Sequence, residues 1–164
     1  MNVWIRNLSY CFMMIGVLVL VLPGCAPAES GKKSTSESKA KHKHGTKGPH
    51  GGPLAEWGED DFHVEFTVDT KSKKAVIYIL DEEAEKAPDV KVEKITDVKL
   101  FIHAAKIDKM ELTHDAELSG EKGIAFVSSP HDAFAKEGEF KGTIDGKVNG
   151  TPYSGKFPLK PAKK

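Results

Sequence analysis

The sequence predicts an all-β domain: an antiparallel, immunoglobulin-like β-sandwich of seven or eight short strands, with a partly open small β-barrel as the alternative. Three observations carry this. Apolar and polar residues alternate in short runs through the last two-thirds of the chain, turn residues separate those runs at roughly 8–12-residue spacing, and helix signals are sparse.

Phe62–Asp69 reads as a period-2 strand, with Phe62, Val64, Phe66 and Val68 on one face and His63, Glu65, Thr67 and Asp69 on a polar one. Lys71-Ser72-Lys73 makes a turn, and the apolar run Ala75–Leu80 follows as a strand buried on both faces. Val98–Ala104, Lys109–Thr113 and Ile124–Ser128 are the next strands. Phe140–Ile144 and Lys147–Asn149 read as a hairpin about Asp145-Gly146, a pair suited to a type I′ turn. Tyr153–Leu159 closes the domain as an edge strand, bounded by Pro152 and Pro158. Helical turns are confined to Glu82–Lys86, stopped by Pro88, and to residues 130–136, opened by Pro130.

Ahead of this domain (residues 50–164) stand two unlike segments. Residues 1–24 open with Arg6 and no acid, and Cys11–Leu22 is uncharged and almost wholly apolar. Twelve helical residues rise roughly 18 Å, too little for a hydrocarbon core of about 30 Å, so the segment reads as an export signal. It ends in Leu22-Pro23-Gly24-Cys25, which resembles the bacterial lipobox. That resemblance implies that Cys25 carries thioether-linked diacylglycerol, becomes the first mature residue and holds the protein on a bilayer. Ala26 in place of aspartate implies the outer membrane, facing the periplasm, over the inner membrane. The alternative is cleavage after Ala26-Pro27-Ala28, which discards Cys25. Cys11 and Cys25 are the two cysteines, so on the lipoprotein reading no free thiol remains for disulfides, catalysis or metal ligation.

Residues 25–49 form a tether. After Cys25 the segment has no aromatic residue and no Val, Ile, Leu or Met, and it carries six lysines against Glu29 and Glu37. Such a composition buries too little apolar surface to offset ordering entropy, and predicts disorder. The whole chain balances 24 Lys plus Arg against 24 Asp plus Glu. That balance excludes a nucleic-acid binder acting through a general positive field.

The seven histidines (42, 44, 50, 63, 103, 114 and 131) carry the specific chemistry. Imidazole is a common ligand for Zn, Cu and Co. His42 and His44 are spaced to chelate one ion, but the lysines around them repel a cation. His50 sits in Gly48-Pro49-His50-Gly51-Gly52-Pro53, a tightly turned stretch. His63 and Glu65 share one strand face, their Cβ atoms roughly 6.5–7 Å apart. They either converge on one metal, or Glu65 accepts an imidazole N–H behind it. His131, beside Asp132 in a loop, completes the candidate set His50, His63, Glu65 and His131. His103 and His114 read as strand-end residues.

The string GPHGGPLAEWGEDDFHVEFTVD (48–69) resembles a segment of uncharacterised bacterial lipoproteins. It is also similar to the amino-terminal segment of periplasmic adaptor subunits of heavy-metal efflux pumps. The matching residues are His50, Gly51, Gly52, Glu56, His63 and Glu65. The resemblance implies an extracytoplasmic β-domain that handles divalent transition metal beside an efflux or envelope partner. The chain lacks the adaptors' coiled-coil hairpin and lipoyl-like domain.

Catalytic motifs are absent: there is no G-x-S-x-G, H-E-x-x-H, C-x-x-C or phosphate-cradling glycine loop. The expectation is therefore a non-enzymatic, lipid-anchored protein that binds or buffers Zn, Cu or Co, with a structural or interaction module of the cell envelope as the alternative.

Overall fold

The computed structural model describes residues 45–158 of the chain. The signal segment 1–24, Cys25, His42 and His44 lie outside the described residues. Eight strands follow in order: β1 (Leu54–Trp57), β2 (Phe62–Asp69), β3 (Lys74–Leu80), β4 (Ile95–Ile102), β5 (Ile107–His114), β6 (Ile124–Ser128), β7 (Gly142–Val148) and β8 (Thr151–Phe157). They form one antiparallel sheet in the order β1-β2-β3-β6-β5-β4-β7-β8. The sheet curls until β8 lies against β1, where Gly155 meets the Glu56 carbonyl and the Trp57 and Tyr153 rings stack 5.9 Å apart. The architecture is thus a nearly closed barrel, the second of the two expected forms, in place of two stacked sheets. The described residues contain no α-helix; their helical turns are three 3₁₀ segments, including Asp132–Phe134 within the expected 130–136 turn.

Alternation along the strands fills the interior. Ala55 and Trp57 of β1, Val64 and Phe66 of β2, Ala75, Ile77 and Ile79 of β3 and Ile124 and Phe126 of β6 join one buried cluster. Leu100, Ile144 and Phe157 complete it from the far side. A second, smaller cluster lies on the opposite face of β3, where Val76, Tyr78 and Leu80 meet Leu54, Ala84, Ala125 and Val127. This explains why Ala75–Leu80 reads as apolar on both faces.

Two turns show how local chemistry sets register. Between β2 and β3, Asp69 accepts the Lys71 N–H at 3.0 Å and the Ser72 hydroxyl at 2.7 Å. Between β7 and β8 the turn is Asn149-Gly150, with φ of 52° and 82°. Both central residues are left-handed, as a type I′ hairpin demands. The Asp145-Gly146 turn expected from sequence is therefore corrected: that pair lies inside β7, opposite Ser154 and Tyr153. Gly146 is needed there because a Cβ would run into the Trp57 ring. Pro152, expected as a boundary, stands within β8, and β1 is a strand that the sequence reading missed.

Candidate functional site

The Gly-Pro-rich loop 48–53 folds over the outer face of β2 and closes on Glu65. This carboxylate is fully buried. It accepts the His50 backbone N–H at 2.9 and 3.1 Å and the Gly52 N–H at 2.7 Å. The His50 Nδ1 stands 2.8 Å from Oε2, and the His50 ring stacks on Tyr78 at 3.6 Å, nearly parallel. Two backbone donors and one imidazole offset the desolvation of the carboxylate. Gly48 permits this approach, because a Cβ there would stand 2.5 Å from the Glu65 Cδ. Gly51 supplies the turn at φ 85°. Burial, and then the Glu65 charge, hold the Tyr78 hydroxyl above its ordinary value.

Two residues along the same face, His63 is also fully buried. The sequence pattern placed both side chains on a polar face in water. They are instead covered, by the 48–53 loop and by the chain beyond β3. The Asp81 carbonyl accepts the His63 Nδ1–H at 3.2 Å, so Nε2 is the lone-pair nitrogen. His63 is paired with Glu56 across the β1–β2 ladder. Asp60 comes back toward them from the connecting turn, where it holds φ 68°. Glu56, Asp60 and His63 each offer one ligand atom, all within 4.8 Å of one another.

One imidazole nitrogen and two carboxylate oxygens are a donor set suited to Zn²⁺, Co²⁺ or a similar divalent ion. Bonds of about 2.0–2.1 Å put tetrahedral ligands roughly 3.3 Å apart, a separation within the 4.8 Å limit that bounds these three donors.

The four residues singled out from sequence thus separate. His50 and Glu65 clasp each other, while His63 joins Glu56 and Asp60. His131 stands elsewhere: its N–H donates to the Lys73 carbonyl, its Nδ1 accepts from the Ala133 N–H, and its ring lies against Phe134. Cys25, the fifth, lies outside the described residues. His103 is exposed 3.8 Å from Asp108, and His114 bonds Ser119 at a strand end. Asp60 escaped the sequence reading. The signal for it was the tight Gly58–Asp61 connection, which pairs Trp57 with Phe62 and hence Glu56 with His63.

No family model, curated protein or solved structure matches the chain.

Proposed function

We propose that this protein is a lipid-anchored envelope protein whose β-barrel domain binds a divalent transition metal at Glu56, Asp60 and His63. The observation that carries the reading is the convergence of three donors on one rigid β-hairpin, with one imidazole held in a fixed tautomer by a backbone carbonyl. In this reading His50 and Glu65 brace the face on which the metal sits, and His131 plays no part. The chemistry is coordination without turnover. A bound ion would be held through one neutral imidazole and two carboxylates, so acid competes with the metal for its ligands and affinity falls as pH drops. The lipobox-like Leu22–Cys25 string supports anchoring on a membrane, and the resemblance of 48–69 to efflux-adaptor segments supports service to a metal-export system.

The test is calorimetric titration of Zn²⁺, Co²⁺ and Cu²⁺ into the full chain in detergent. The expected result is one ion per chain, with affinity lost in Glu56→Gln and in Asp60→Asn. Equal affinity in both variants and the wild type would overturn the reading.

A second reading, a non-catalytic interaction module, has one observation in its favour. An open groove of about 640 Å³ runs between the 50–53 loop and Phe140, floored by Phe66 and Val68. An envelope partner that stays bound under strong chelator would favour it.

A further inference from the structure

Every neighbouring pair of strands runs antiparallel, so the connecting segments sort onto two rims of the barrel. One rim carries segments 45–53, 70–73, 103–106 and 129–141, with Pro158 after β8. The described chain therefore enters and leaves at this rim. The opposite rim carries 58–61, 81–94, 115–123 and the Asn149-Gly150 turn. Asp60 of the metal group stands in the first of these.

The two rims differ in charge. The entry rim has Lys47, Lys71, Lys73, Lys106, Lys136 and Lys141 against three acids, a net of +3, and all six lysines are exposed. One of them, Lys73, is paired with Asp132 at 2.9 Å. Asp69 and Lys74, the strand residues that flank the β2–β3 turn, cancel. The opposite rim has twelve acids against four lysines, a net of −8.

An anchor at Cys25 leaves the choice of rim to that asymmetry. Cys25 stands twenty residues before Gly45, a length that reaches at most about 70 Å. Strands of eight residues are about 27 Å long. The connection is thus long enough for either rim to meet a bilayer, and charge decides between them. At the surface potential of an anionic leaflet each net charge changes the local population about threefold. Three positive charges therefore enrich the entry rim about thirtyfold, while the acidic rim is repelled. Both effects fade within a screening length of about 8 Å, so only the rim nearest the lipid counts.

We propose that the entry rim docks on anionic phospholipid headgroups through Lys47, Lys71, Lys106, Lys136 and Lys141, turning the Glu56–Asp60–His63 group away from the bilayer. This rests on the lipid-anchored reading above and is independent of whether that group holds a metal. An ion, or a partner that delivers or takes one, then approaches from the solvent side.

The experiment is lysine acetylation, read by mass spectrometry, of the full chain reconstituted with two kinds of vesicle. One is phosphatidylcholine alone, and the other is phosphatidylcholine with phosphatidylglycerol. Labelling of Lys71, Lys106, Lys136 and Lys141 should fall about threefold or more on the anionic vesicles. Lys86, Lys91 and Lys122 of the opposite rim should label equally on both. Salt at about 1 M should abolish the difference. K71E/K136E, which changes no strand residue and takes the rim to a net of −1, should abolish it too, with circular dichroism showing an unchanged fold. Equal labelling of the entry rim on both vesicles overturns the proposal, and so does protection of the opposite rim in its place. Protection by dextran sulfate in solution, with none by anionic vesicles, assigns the rim to an anionic polymer and likewise overturns it. Flotation separates the anchor from the docking. A chain that floats only with anionic vesicles, its entry rim protected, overturns the anchor and upholds the docking; one that floats with neither overturns both.

Discussion

Glu65 and His50 are joined twice, through the backbone N–H and through the ring Nδ1 of the histidine, 15 residues away in sequence. The carboxylate is the peg on which the loop hangs. Glu65→Gln keeps the shape but replaces one acceptor oxygen with an NH₂ that faces donors. We expect it to cost about 2–4 kcal/mol in urea unfolding, the range for breaking a buried charged contact. A loss below about 0.5 kcal/mol would show that the clasp does not hold the domain.

The glycines of β7 and of its turn should respond differently. Gly146→Ala forces a Cβ into the Trp57 ring, whose Cζ2 would be 3.0 Å away, and overpacking of this kind costs about 1–3 kcal/mol. Gly150→Ala meets open space and costs only the strain of its φ of 82°, about 1 kcal/mol. Thermal melts of the two variants should rank them in that order, with a shift of Trp57 fluorescence in the first alone.

Alkaline pH should weaken the fold through its two described tyrosines. Burial raises Tyr78 and Tyr153 above their ordinary 10.0, helped by Glu65 at the first and Asp61 at the second. A group whose folded value is raised contributes stability that is complete below the unfolded value and lost as pH climbs through the folded one. Unfolding free energy should therefore decline above about pH 10. Tyr78→Phe should flatten part of that decline, and absorbance at 295 nm should show late ionisation in the folded chain.

Metal should raise thermal stability by mass action. At zinc concentrations one hundred times Kd the gain is about 2.7 kcal/mol. Calorimetric melts with and without chelator should show it in the wild type and not in Asp60→Asn, which changes one of the three proposed ligands.

The anchor has its own test. Cys25→Ser should leave the protein unlabelled by radioactive fatty acid and move it from the membrane to the soluble fraction. Continued labelling would exclude Cys25 as the acylated residue.

Much of the barrel was legible in the sequence because burial imposes period two on each strand. Phe62–Asp69 and Ile124–Ser128 are strands with the bounds that their patterns imply. Leu54–Trp57 escaped because four residues carry too little alternation to register. The β7–β8 turn was misplaced because Asp145-Gly146 and Asn149-Gly150 are both good type I′ pairs. Only the Trp57 ring, 87 residues from its hydrogen-bond partner Ile144, decides between them. Closure into a barrel was left open for a like reason, since the meeting of Gly155 and Glu56 is invisible to local pattern.

The candidate site was half legible. The shared face of His63 and Glu65 followed from spacing, but not their burial, which depends on loops folding back over that face. Pairing His50 with His63 overlooks that Glu65 occupies the His50 Nδ1, and Asp60 comes to His63 from a turn that the sequence reading did not single out.

Among the described residues no hydrogen-bonded ladder joins β1 to β8; the close approach of Gly155 to the Glu56 carbonyl and the stacking of Trp57 on Tyr153 make the final join. A cylinder fastened that way has a preferred line of parting, as a rolled sheet held by a button parts at the button. That line runs along the strand that carries Glu56, so an ion shared by Glu56 of β1 and His63 of β2 would stiffen one lip of the seam and leave the other free.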